Sequence, residues 1–147
     1  MFNKYLDRYR NRGMFSFNLS NSFRYVCNAP ADKSGVYLIY KIINQEKILA
    51  YIGSSGRKGK DGKLKIRRGG MKDRLINGYH PNKFGQPQRI KRHKAFPHQM
   101  KIENIEEIRT YWWVTFDGDN SDFPAVIESL LRNQYLSEHK KMPDWHQ

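Results

Sequence analysis

Two tyrosines, one arginine and one glutamate are the residues of this chain whose types and placement suit phosphate chemistry. Tyr37 closes the triplet Gly35-Val36-Tyr37 and Tyr51 opens the triplet Tyr51-Ile52-Gly53, with thirteen residues between them. The most basic segment of the protein follows directly. From Arg57 to Arg74, nine Lys or Arg stand against two acids, a net of +7 in eighteen residues. Cations in that number attract phosphate, and one held rigidly can stabilise charge that develops on it. Arg74 sits one residue before Leu75, at the edge of the apolar stripe Met71, Leu75 and Tyr79, so packing can aim its guanidinium into a cleft. Glu128 lies between Ile127 and Leu131, at the boundary of a helix's buried face. Taken singly, each has a plainer reading. A buried tyrosine is more often a core residue with a satisfied hydroxyl, a lone helical Glu is normally exposed, and a charge run is usually a solvated face.

The elements that must position these residues can be read from the hydrophobic pattern. Leu38 to Ile43 and Ile48 to Ile52 are apolar runs separated by Asn44-Gln45-Glu46-Lys47, which predicts a β-hairpin over 35–53. Alternation sends Val36, Leu38, Tyr40 and Ile42 to one face and Tyr37, Ile39 and Lys41 to the other, and groups Leu49, Tyr51 and Gly53. Whether Tyr37 and Tyr51 share a face depends on loop parity, which the pattern leaves open. The glycine-rich stretch 54–70 reads as a flexible surface loop. Residues 70–79 read as a short helix that Gly78 ends as a C-terminal cap. Residues 80–101, with Pro81, Pro87 and Pro97, read as a basic loop, and His93 and His98 as polar loop residues rather than metal ligands.

The strongest strand is predicted over 104–116, where Ile108, Thr110, Trp112, Val114 and Phe116 alternate with Arg109, Tyr111, Trp113 and Thr115. A helix is predicted over 122–138, capped by Ser121 or Asp122, with Pro124 in its first turn and Val126, Ile127, Leu130 and Leu131 toward the sheet. Residues 142–145 read as irregular. Residues 1–33 form an aromatic and basic extension, with Phe2, Leu6 and Tyr9 on one helical face and 15–19 as an edge strand. It reads either as an arm that contacts DNA or as a cover on the core. The rest, 34–147, reads as one globular domain.

A chain of 147 residues with 27 Lys or Arg, 14 Asp or Glu and a net charge of +13 favours a polyanionic partner, nucleic acid first and an anionic membrane second. Its sequence pI is near 9.9. The single cysteine, Cys27, excludes an internal disulfide and a Cys-based zinc cluster. No apolar run approaches the ~20 residues of a membrane span, and the N-terminus lacks the apolar core of a secretory signal. A soluble, cytoplasmic protein is expected.

The two triplets, followed by Arg74 on a helix and Glu128 on a later helix, resemble the GIY-YIG nuclease superfamily over roughly residues 34–136. The glycine-rich insert between Ser54 and Arg74 looks most like that of its small type II restriction endonucleases. The resemblance implies an α+β fold, a small antiparallel sheet of about three strands flanked by helices. It also implies hydrolysis of DNA phosphodiester bonds with one divalent ion, Mg²⁺ or Mn²⁺. Glu128 would be the metal ligand and Arg74 would contact the scissile phosphate. Tyr51 would take the proton from the attacking water, Tyr37 would help position that water, and Lys63, with Lys65 second, would assist from the insert. Double-stranded DNA is the partner it implies, with a homodimer left open. The basic residues expected against DNA are Arg57, Lys58, Lys60, Lys65, Arg67, Arg68, Arg89, Lys91, Arg92 and Lys94.

The chain departs from the superfamily's pattern in three places. Gly78 stands four residues after Arg74, where many members carry Tyr or His. Ile66 occupies the slot nearest the insert's His, and no Asn stands twelve to fifteen residues after Glu128. Unassisted tyrosine has a pKa of about 10, so a Tyr51 base is expected to be acidified by the nearby Lys and Arg charge. The alternatives are a catalytically impaired nucleic-acid-binding domain of the same fold, and a basic adaptor for an acidic protein.

Overall fold

The computed structural model describes residues 1–80 and 89–146. In chain order its elements are α1 (Asn3–Leu6), β1 (Arg12–Phe17), α2 (Phe23–Val26), β2 (Ser34–Ile43), β3 (Glu46–Ser55), β4 (Arg57–Lys58) and β5 (Leu64–Lys65). There follow α3 (Gly70–Asn77), β6 (Tyr79–His80), β7 (Ile90–Lys91), α4 (Arg92–Glu103), β8 (Glu107–Phe116) and α5 (Pro124–His139). Pro81 and Pro87 lie outside the described residues. β1, β8, β2 and β3 form an antiparallel sheet in that order. Among the described residues the fold is therefore α+β with a four-stranded sheet and five helices. The sheet has four strands rather than three because β1, from the N-terminal extension, pairs with the outer edge of β8.

The alternation predicted for β2 holds, and it divides the core in two. Val36 and Leu38 pack with Ile127, Leu131 and Tyr135 of α5 and with Phe2, Leu6 and Tyr9. Tyr37 and Ile39 pack on the other face with Met71, Leu75, Phe96 and Met100 of α3 and α4, and with Phe15, Phe17 and Trp112. No helix among the described residues is long and apolar enough to cross a membrane.

The β2–β3 hairpin turns at Asn44 and Gln45, both at positive φ, 50° and 66°. A two-residue loop with both φ positive matches the right-handed twist of the flanking strands. With that turn alone, Tyr51 would pair with Leu38 and lie on the α5 face. Instead Tyr40 pairs with Leu49 and Ile39 with Tyr51, so Ala50 is an extra residue, a β-bulge. The bulge moves Tyr51 to the face of Tyr37 and leaves Leu49 on the other, which corrects the expected grouping of Leu49 with Tyr51 and Gly53.

Five further expectations are corrected. Tyr79 does not continue the buried stripe of Met71 and Leu75, being 54 % exposed, because α3 ends at Asn77. Residues 92–103 are a helix, not a loop, despite Pro97 inside it. A proline there forfeits one backbone hydrogen bond, but Ala95, Phe96, Gln99 and Met100 are buried, and that packing outweighs the loss. In α5 the N-cap is Phe123, with no side-chain cap from Ser121 or Asp122, while Pro124 stands at the first turn as expected. Val126 is exposed, not sheet-facing. The last strand begins at Glu107 rather than 104, since Asn104 caps α4 in a left-handed conformation.

The irregular C-terminal tail docks on the edge of β3. The Trp145 N–H donates to the carbonyl of Ala50, at the bulge, over 2.9 Å. Its indole, 2 % exposed, packs against Phe96 and His80, and its Nε1–H donates to Glu103. Glu103 in turn pairs with Lys41 at 2.6 Å, and Lys41 with Asp144 at 2.9 Å. Trp145→Ala is expected to cost about 3–5 kcal/mol, as for other buried aromatic truncations, read as a lower denaturation midpoint.

Candidate active site

Tyr37 and Tyr51 come together because of the bulge. Their rings stack at 6.3 Å with an interplanar angle of 20°. Tyr37 is fully buried and pairs across the ladder with Gly53. A Cβ at position 53 would lie 2.5 Å from the Tyr37 ring, so the absence of a side chain there is what lets the ring lie flat across β3. Gly53→Ala must therefore shift the ring or strain the strand. It is expected to destabilise by about 1–3 kcal/mol, the range for overpacking, measured by urea denaturation against wild type.

Tyr51 lies between two flat groups. One is Tyr37. The other is the His146 ring, 4.3 Å away and within 5° of parallel. The His146 Nε2 accepts the backbone N–H of Ile52 at 3.0 Å, which holds the end of the tail against the tyrosine.

Arg74 enters from α3, whose Met71 and Leu75 are buried against the sheet. Its Nε is buried and makes no hydrogen bond among the described residues. The pKa of Arg74 is raised, first by Tyr37, with Tyr51 and Glu128 acting in the same direction and burial against it. Arg74 also lines a cleft of about 510 Å³ with Ser54, Ser55, Arg57, Lys65, Arg67 and Arg68.

Glu128 reaches the same end of the hairpin from the opposite face. Ile127 and Leu131 bury α5 against the sheet, and Glu128 lies between them, partly exposed. Its Oε1 accepts the Ser54 hydroxyl at 2.6 Å and its Oε2 the Arg132 guanidinium at 3.0 Å. Among the described residues no group of three or more His, Cys, Asp or Glu side chains could hold a metal ion. A closed, all-protein metal cage therefore does not fit. A single carboxylate backed by a serine hydroxyl does fit Mg²⁺ or Mn²⁺ that keeps its waters and shares a substrate oxygen, because Mg²⁺ dehydrates reluctantly and is commonly bound this way.

The basic residues divide by position. Arg57, Lys58, Lys60, Lys65 and Arg68 are exposed on the insert, and Arg67 is half-buried against Asp73 at 2.8 Å. Lys65 lines the cleft, whereas Lys63 does not. The Lys63 backbone N–H is turned to Asp61. Lys65 also pairs with Asp61 at 3.3 Å. Arg89, Lys91 and Lys94 are exposed around the start of α4. Arg92 is the exception and a correction. Expected on the solvated basic face, it is 1 % exposed, with its guanidinium 5.3 Å from the Tyr37 ring centre and 5.2 Å from that of Tyr51.

The electrostatics of Tyr51 also depart from expectation. Its pKa is raised, first by burial and then by Tyr37 and Glu128, with Arg92 and Arg74 pulling the other way. The insert lysines do not figure in the balance. Two cations on α3 and α4 act on the phenol instead, and desolvation outweighs them.

One residue of the site, His146, was missed in the sequence, and Arg92 was assigned to the wrong setting, the DNA-contacting basic face. Arg92 shares a helix face with Phe96 and Gln99, at spacings of four and three, a buried stripe that Pro97 disguised. His146 had one signal, the large aromatic Trp145 in a polar tail, which marks a segment that docks. No protein-family model matches this chain, and neither a curated protein nor a solved structure is detectably similar to it.

Proposed function

We propose that this chain is a divalent-metal-dependent endonuclease of the GIY-YIG type that hydrolyses DNA phosphodiester bonds, nearest to the small restriction enzymes. The observation that carries the reading is the meeting of Tyr37, Tyr51, Arg74 and Glu128, from β2, β3, α3 and α5, beside a cleft lined by Arg57, Lys65, Arg67 and Arg68. One hairpin and two helices, spread over some ninety residues of chain, deliver the tyrosines, the arginine and the carboxylate that such a hydrolysis would use.

In-line attack of water on phosphorus forms one P–O bond and breaks the opposite one, and the charge on the phosphate oxygens grows. The Arg74 guanidinium, from a residue that lines the cleft, is placed to receive that charge. Tyr51 as phenolate takes the water's proton, and Tyr37, its hydroxyl held within the protein, keeps Tyr51 in place. Glu128, steadied by Ser54, is the residue that would hold Mg²⁺ or Mn²⁺. Such an ion supplies Lewis-acid stabilisation of the phosphate when bound. Lys65, at the cleft, replaces Lys63 as the assisting lysine. The exposed cations of the insert and of Arg89, Lys91 and Lys94 contact the backbone of double-stranded DNA. A homodimer would supply one site per strand.

The test is incubation of purified protein with supercoiled plasmid and a panel of linear duplexes in Mg²⁺ or Mn²⁺. Conversion to nicked or linear DNA is expected, and EDTA stops it. No cleavage of any substrate with either ion overturns the reading. A catalytically impaired nucleic-acid-binding domain is the second reading. It is favoured by the raised pKa of Tyr51 and by a Glu128 whose two oxygens already have protein partners. It is recognised by duplex binding that weakens steeply with salt, without cleavage.

A further inference from the structure

Gly78 leaves a space at the C-terminal end of α3, and the Arg92 side chain fills it. A Cβ built at position 78 would meet the Arg74 carbonyl oxygen first and would lie 2.6 Å from the Arg92 Nη1. The guanidinium uses the space to reach two targets. Its Nη2 donates to the Tyr37 hydroxyl at 3.0 Å, and its Nη1 donates to the Arg74 carbonyl at 2.7 Å. The Arg92 backbone N–H meanwhile donates to the Gly78 carbonyl at 2.9 Å. A buried cation is costly unless its donors are satisfied. Here two of them are spent on the phenol and on the turn of helix that carries Arg74, while the guanidinium carbon lies over both tyrosine rings.

We propose that Arg92 is a positioning residue of the candidate active site, which holds the Tyr37 hydroxyl and the Arg74-bearing end of α3 in register with Tyr51. The inference rests on the nuclease reading for its catalytic meaning. Lysine cannot substitute fully. An ammonium is a point charge on a flexible stem, whereas the planar guanidinium fork reaches two acceptors in fixed directions and stacks on rings. Position 78 is part of the same device, since a side chain there would press on both the Arg74 carbonyl and the fork that bonds it.

Arg92 also belongs to the set of charged and titratable groups around Tyr51. These are Tyr37 from β2, Arg74 from α3, Arg92 from α4, Glu128 from α5 and His146 from the tail. Of these, Arg92 and Arg74 favour the phenolate, and Tyr37 and Glu128 oppose it. Two substitutions separate the charge of Arg92 from its shape: Arg92→Lys keeps the charge and loses the fork, and Arg92→Met loses both.

The experiment pairs cleavage rates with ¹³Cζ-tyrosine NMR titrations of both variants and wild type, in which Tyr37 and Tyr51 are assigned from Tyr→Phe substitutions. Arg92→Lys is expected to move the Tyr37 Cζ resonance, leave the Tyr51 titration within a few tenths of a pH unit of wild type, and cut the cleavage rate about tenfold or more. Arg92→Met is expected to raise the Tyr51 titration by about one unit or more and to cut the rate further. An unmoved Tyr37 resonance and an undiminished rate in Arg92→Lys overturn the proposal, whether or not Arg92→Met folds. If wild type cleaves nothing, the nuclease reading fails. The Tyr37 and Tyr51 resonances then still report whether Arg92 organises the site.

Discussion

Glu128→Ala is expected to lower the rate of Mg²⁺-dependent plasmid cleavage by at least about 10²–10³-fold, the scale for removing a group that stabilises charge in the transition state. The same substitution should leave duplex binding equal to or tighter than wild type. It removes a negative charge beside a cleft lined by Arg57, Lys65, Arg67, Arg68 and Arg74, and nearby anions oppose phosphate. Fold stability should change little, because Glu128 is partly exposed and its pair with Arg132, 42 % exposed at the side chain, is of a kind that contributes little. Loss of cleavage, retained binding and an unchanged melting temperature together assign Glu128 to the chemistry. Cleavage at the wild-type rate removes it from the mechanism, and equal loss of cleavage and binding would make its role structural.

The cleavage rate is expected to climb with pH across the whole neutral and mildly alkaline range. The direction follows from Tyr51. A general base must be deprotonated to act, and burial raises the Tyr51 pKa above its ordinary value, which is about 10. Below that pKa the phenolate fraction grows tenfold per pH unit, so the single-turnover rate in Mg²⁺ should rise about 100-fold between pH 7 and pH 9. The guanidinium of Arg74 keeps its charge throughout, since its pKa is raised from an already high value. Tyr51→Phe should lower the rate and flatten the slope. A slope identical to that of wild type in Tyr51→Phe would assign the proton transfer elsewhere. A rate that does not change with pH in wild type would remove a buried tyrosine base altogether. DNA in the cleft would not relieve the burial, so the alkaline preference should persist at saturating substrate.

The regular elements were legible because their patterns are local. The alternation through Val36–Ile42 and through Ile108–Val114 marks half-buried strands in any context, and the Ile127–Leu131 spacing marks a helix face. The α4 helix was not legible. Its burial comes from contact with α3 and the tail, and Pro97 argues against a helix to anything that reads only the local chain. The same holds for the fourth strand's partner. Phe15 to Phe17 alternates, but only the exposed edge of β8 makes that segment part of the sheet.

The candidate site divides along the same line. The types and order of Tyr37, Tyr51, Arg74 and Glu128, and the basic insert beside them, are properties of the chain alone, and they were enough to raise phosphate chemistry. Their geometry was decided by tertiary contacts. The two-residue turn by itself would send Tyr51 to the far face of the sheet. The bulge at Ala50, whose carbonyl accepts the Trp145 N–H of the docked tail, turns it back toward Tyr37. The cation over the phenols is Arg92, buried across the space at Gly78, rather than a lysine of the insert, and burial outweighs its charge at Tyr51. Residue identity sets which chemistry is possible. The face on which a side chain emerges, and the dielectric around it, depend on partners dozens of residues away, which no local pattern carries.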